Sequence, residues 1–181
     1  MHFGTTLQKS VYEPWRSNYI DYSALKSLLR ENKTKGKEKE SWTDEDEGRF
    51  VEELVNVQLE KVNAFQVNTH KRLRDRTSAC EEKLNRLKST NEAGTDDAKS
   101  TEQDTAHRRA VLMEVLEELD EITKEVNELE KYSRLNFTGF LKAAKKHDRQ
   151  RGSKYRVRPL LQVRLASLPF NSEDYSPLLY R

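Results

Sequence analysis

From Arg49 to Ala93 the chain contains neither glycine nor proline. A stretch of that length lacks the two residues that most readily interrupt a helix, one by backbone freedom and one by a missing N–H. Phe50, Leu54, Val57, Val62 and Phe65 recur along it near helical spacing, and Leu73, Leu84 and Leu87 continue the pattern. The spacing predicts one helix of about forty residues, roughly 60 Å long. Thr43 or Asp44 is placed to cap it, and the acidic residues that follow suit the positive end of a helix dipole. A second stripe, Leu112, Val115, Leu116, Leu119, Ile122, Val126 and Leu129, reads as the core seam of a partner helix in a coiled-coil-like hairpin.

The rest of the chain fits around such a pair. Charged residues make up 35% and hydrophobic ones 34% of 181 residues, a thin core that suits long helices with narrow buried stripes. The sequence is therefore read as all-α: an N-terminal helical hairpin, two long antiparallel helices and short C-terminal helices. The N-terminal part offers Phe3 and Leu7 one turn apart, an apolar patch from Val11 to Ile20, and Asp21 as cap of a helix over Tyr22 to Glu31. Residues 33–41 and 89–106 read as flexible loops. Asn136, Thr138 and Gly139 are expected to punctuate the chain before a short helix ending at Arg149, and Pro159 to open another reaching Leu168. The chain is read as one domain over 1–181. Its end inside an apolar run reads as the first domain of a longer protein.

Cys80 is the lone cysteine, so an internal disulfide is excluded. No apolar run is long enough to span a bilayer, and the N-terminus does not read as a signal peptide. Phosphate-binding glycine loops, metal-ligand spacings of His2, His70, His107 and His147, and nucleophile–base arrangements are all missing, so no catalytic or metal role is expected.

Charge is distributed unevenly. Val111 to Glu130 carries eight acidic residues against Lys124, whereas Lys131 to Arg158 carries ten lysines and arginines against Asp148. Within the basic stretch Lys142, Lys146 and Arg149 share a helix face, with Lys145 at its border. Like charges at this spacing repel by a few tenths of a kcal/mol a pair, so the face is a candidate anion site. Tyr22 and Lys26, at i and i+4, present a phenol and an ammonium together. Exposed ion pairs are each worth only about 0–1 kcal/mol, so an anion held here needs many phosphates acting at once. A solvated basic face on a structural coiled-coil adaptor is the plain alternative. Nucleic-acid binding is disfavoured, because the patch is small and the acidic helix beside it would repel a duplex.

Three separated motifs resemble the SPX domain: Met-His-Phe-Gly-x-x-Leu at the start, Tyr19-Ile-Asp-Tyr-x-x-Leu-Lys26, and Leu135-Asn-x-Thr-Gly-Phe-x-Lys-x-x-Lys-Lys-His-Asp-Arg149. The resemblance implies a sensor of phosphate status that binds inositol polyphosphates, such as inositol hexakisphosphate, and inositol pyrophosphates. It implies Tyr22, Lys26 and Lys145 as a phosphate-binding cluster and Lys142, Lys146 and Arg149 as the lysine surface beside it. His2 stands where family members usually carry lysine. Val11-Tyr-Glu-Pro-Trp15, Phe50-Val-Glu-Glu-Leu54 and Tyr175-Ser-Pro-Leu-Leu-Tyr-Arg181 look like the accessory subunits of the fungal vacuolar transporter chaperone complex, a polyphosphate polymerase. That narrower likeness implies the other subunits as partners and a place on the cytosolic face of the vacuolar membrane. Membrane attachment would come only through regions outside this segment.

Overall fold

A computed structural model describes residues 3–29, 42–92, 102–151 and 156–179. Among them the elements are α1 (Phe3–Ser10), a 3-10 turn (Glu13–Asn18), α2 (Tyr22–Leu28), α3 (Asp44–Val51), a π-helical segment (Glu52–Leu59), α4 (Glu60–Glu92), α5 (Glu102–Arg151), α6 (Arg158–Ser167), α7 (Pro169–Ser172) and α8 (Ser176–Leu179). No strand occurs among the described residues, so the fold is all-α. The chain divides into two compact units: Met1–Asn68 with Glu130–Glu173, and Thr69–Leu129 with Asp174–Arg181. Helices α4 and α5 contribute to both.

In the first unit the N-terminal hairpin packs on stretches of the long helices. Trp15, Tyr19 and Ile20 are buried, and Trp15 meets Phe65 and Tyr132 edge-on. The Ile20 N–H donates to Asn136 Oδ1 (2.8 Å), and the Asp21 N–H to Gln58 Oε1 (2.8 Å). Asp21 caps α2 by accepting from the Ala24 N–H. Thr43 caps α3 in a reciprocal box with Asp46.

The π-helical segment changes which residues face inward. Its wider turn carries Leu54, Gln58 and Leu59 into the core and leaves Val57, expected there, 45% exposed. The Gln58 amide donates to Glu53, five residues back, and receives the Asp21 N–H, so the altered register delivers a buried acceptor to the N-terminal hairpin.

The expected break at Asn136–Gly139 is absent, since α5 runs unbroken through it. Each would-be breaker is satisfied inside the helix. Asn136 Nδ2 donates to the Tyr132 carbonyl and Thr138 Oγ1 to that of Arg134. Gly139 provides a notch: a Cβ there would lie 2.9 Å from Ile20 Cγ2 and 3.5 Å from Phe3 Cε1.

The second unit holds the antiparallel seam. As α4 advances from Arg72 through Arg76 to Lys83, its partners on α5 retreat from Glu125 through Glu118 to Glu114. Val115, Ile122, Val126 and Leu129 are buried, but Leu112 and Leu116 are 45% and 57% exposed. They sit roughly 80–120° from the seam's centre, and one facing helix covers a narrower stripe than that. The helices also claim part of the expected second loop, with 89–92 in α4 and 102–106 in α5. Residues 93–101, like the loop expected over 33–41, lie outside the described residues.

Candidate functional site

The basic stretch is the end of α5. Phe140, Ala143, Ala144 and His147 are buried, which turns the opposite face outward. Lys142, Lys145 and Arg149 are exposed and Lys146 is half-buried. With 100° per residue all four lie within about 60° of one line along the helix. Asp148, the acid in their midst, is turned to other work: it accepts the N–H groups of Val157 and Arg158 at the start of α6.

α1 and α2 bring aromatic rings to this face. The Phe3 ring meets Tyr22 edge-on, with centroids 5.1 Å apart, and Lys142 Nζ lies 5.5 Å from the Phe3 centroid, within cation–π range. The Gly139 notch lets Phe3 approach α5 this closely. Tyr22 is half-buried. Burial pushes its phenol up, while the nearby Arg149 charge works the other way. At neutral pH Tyr22 is a hydroxyl donor beside a guanidinium, the pairing a phosphate oxygen accepts from. No group of three or more His, Cys, Asp or Glu able to hold a metal occurs among the described residues.

No family model matches the chain. Its whole length is 42% identical to vacuolar transporter chaperone complex subunit 2 of Saccharomyces cerevisiae, of which it covers 20%. It is 36% identical over 99% of its length to subunit 2 of Schizosaccharomyces pombe, covering 22%. SPX domain-containing protein 4 of Arabidopsis thaliana is 29% identical over 74% of the chain, which covers 39% of that protein. The chain is an SPX domain. It spans about a fifth of the length of the chaperone-complex subunits it matches.

The SPX domain thus draws Tyr22, Lys142 and Arg149 together around Phe3, although more than a hundred positions of sequence lie between. Lys26 follows one turn after Tyr22 and is half-buried. Lys145 and Lys146 occupy opposite flanks of the α5 line. Lys146 follows the flank of Gly139 and Ala143, the side against which Ile20 and Phe3 pack, and Lys145 takes the far flank. The geometry therefore favours Lys146 over Lys145 as the lysine turned toward α2. His2 lies outside the described residues. Tyr22 also lines a 210 Å³ cavity with Arg16, Asp21, Ser23 and Lys61. Asp21 within it, and Glu13 paired with Arg16, offset its two cations, so it is poorly suited to a polyanion.

Sequence reasoning passed over His147, Trp42 and Arg151. The Arg151 guanidinium stacks 3.5 Å from the Trp42 ring centroid and donates to the Leu29 carbonyl at the end of α2. The available signal was spacing: His147 falls at i+7 from Phe140 and i+4 from Ala143, on the apolar face.

Proposed function

We propose that this face binds an inositol polyphosphate or pyrophosphate, and that the domain uses that ligand to report phosphate status and regulate polyphosphate synthesis through ligand-dependent protein interaction. The observation that carries the reading is the gathering of Tyr22, Lys142 and Arg149 about Phe3, on a helix face whose own acid, Asp148, is engaged elsewhere. A ligand whose phosphates point in several directions suits lysines on flexible stems, and each phosphate monoester brings a charge of about −1.5 to −2. Lys26, Lys145 and Lys146 add to the same field, and His2 would join it when protonated. The role is regulatory rather than catalytic. The partners are the other subunits of a vacuolar transporter chaperone-like complex, with the domain on the cytosolic face of the vacuolar membrane. No helix among the described residues is long and apolar enough to cross a membrane.

A second reading, a structural adaptor without ligand, is favoured by the exposed Leu112, Met113 and Leu116 on α5. Calorimetric titration with inositol hexakisphosphate separates the two. Micromolar binding that weakens as salt rises supports the ligand reading, because exposed lysines are screened over a Debye length of about 8 Å at 0.15 M. No heat at low salt would leave the adaptor.

A further inference from the structure

The end of α5 turns its cations outward and holds, on the opposite side, a buried histidine between two carboxylates. His147 is 0% exposed. Its Nε2 lies 2.8 Å from Glu47 Oε2 and its Nδ1 3.0 Å from Asp148 Oδ1. Phe50 stacks on the ring at 4.7 Å. A neutral imidazole carries one N–H and can satisfy one of these carboxylates, while the imidazolium donates to both. Each carboxylate is held as an acceptor by further donors: Glu47 by the Trp42 indole N–H at 2.8 Å, and Asp148 by the Val157 and Arg158 N–H groups. Burial works to raise the Asp148 carboxyl, but His147 and those two N–H groups outweigh it and hold it below its usual range.

The charged groups around the ring come from two helices. Glu47 and, one residue before it, Asp46 belong to α3; Asp148 and Arg151 belong to α5. α6 contributes its first N–H groups, and α2 the carbonyl of Leu29. Three segments are thus tied to one stretch of α5: the end of α2 through Arg151, the start of α3 through Glu47, and the start of α6 through Asp148. Lys145, Lys146 and Arg149 stand on the outer side of the same turns.

We propose that His147 is a positioning residue for the basic face, an imidazolium clamp that fixes α3 and α6 against the turns bearing Lys145, Lys146 and Arg149 and so couples polyanion affinity to its own protonation. The proposal rests on the ligand reading above. Loss of the proton sets a bare ring nitrogen against a carboxylate oxygen, two acceptors facing each other without water. One tie is released, and a positive charge beneath the face disappears. Both changes weaken a polyanion's hold, and by linkage the bound polyanion favours the protonated ring.

The test uses the 181-residue chain and inositol hexakisphosphate from pH 6 to 8.5, with wild type, H147Q and E47Q titrated in the same buffers. The ligand's own ionisation near pH ~6 is common to all three, so the ratio of variant to wild-type affinity is the quantity read. Wild type should bind about fivefold or more tightly than H147Q at pH 6, within the ordinary range of coupling, and the advantage should shrink as pH rises. E47Q keeps an acceptor for Trp42 and can donate to a neutral ring, so it tests the clamp should H147Q fail to fold. Its affinity should depend less on pH than that of wild type. Nitrogen-15 shifts of the His147 ring should show both nitrogens protonated at pH 6. Binding by wild type with parallel variant profiles, or a neutral His147 ring at pH 6, overturns the coupling alone. No binding by wild type at any pH overturns the ligand reading and the coupling with it.

Discussion

The two ends of α5 use the same kinds of charge in opposite ways. In the seam of the second unit, Arg76 lies between Glu118 (2.6 Å) and Glu125 (2.5 Å), and Lys83 meets Glu114 at 2.6 Å. At the other end Lys142 meets an aromatic ring, and the neighbouring Asp148 is committed to backbone and histidine donors. Cations in the seam hold two helices in register. Those on the basic face leave a positive field that the fold does not neutralise, and that separates a structural charge from one available to a ligand.

The sharpest way to break this comparison is to remove charge from each end in turn. Replacing Lys142 and Lys146 together by alanine should weaken inositol hexakisphosphate binding by about tenfold or more, some ~1.4 kcal/mol, by calorimetry. The thermal midpoint should hardly move, because surface changes of this kind stay within about 0.5 kcal/mol. Unchanged affinity in the double variant would place the site elsewhere. Arg76→Ala should do the reverse. Its guanidinium is 26% exposed and shared between two carboxylates, so denaturant unfolding should show a loss of about 1 kcal/mol with ligand affinity unchanged. A binding defect in Arg76→Ala would mean that the two kinds of charge are not separable.

A smaller effect resolves the basic face itself. Lys146 shares the flank on which Ile20 and Phe3 pack, whereas Lys145 stands on the far flank. Single alanine variants should therefore differ by a few-fold in affinity, Lys146→Ala being the weaker binder, a gap that about 1 kcal/mol explains. Equal losses would show that charge alone matters, and a larger loss in Lys145→Ala would restore the grouping of Tyr22, Lys26 and Lys145 that family resemblance implies.

How far sequence reached differs between the same two regions. The seam was legible as a period, but its edges were not: Leu112 and Leu116 repeat correctly and still face outward, because periodicity does not say how wide a stripe the partner covers. Val57 failed differently, since a π-helical turn shifts the register without any glycine or proline to announce it. At the basic end the cations and Tyr22 were legible as types at helical spacing. Their meeting around Phe3 was not, because it depends on a close approach at Gly139 that local rules read as a break. The resemblance bridged that gap, as a motif carries spatial proximity that local propensity lacks. His147 escaped because its partners, Glu47 and Trp42, are about a hundred positions away.

The smallest predicted effect compares one carboxylate from each region in acid. Glu118 is held below its usual range by Arg76, against the upward push of burial. In Asp148 burial is the largest influence and pushes upward, yet the donors around it win. In both, the folded protein binds the proton less readily than the unfolded chain does. Their contributions are therefore present above the unfolded value, near pH ~4, and fade as pH falls through the folded one. Asp148→Asn and Glu118→Gln should each flatten the acid limb of stability measured by urea unfolding between pH 5 and 2, assay conditions set by that range. The flattening should be greater for Asp148→Asn. Its side chain is 20% exposed against 38% for Glu118, so solvent screens it less, and its partners are fixed backbone donors rather than a mobile guanidinium. Equal flattening would mean that the buried junction under the basic face is no more rigid than the seam, and the contrast between the two ends of α5 would then rest on ligand affinity alone.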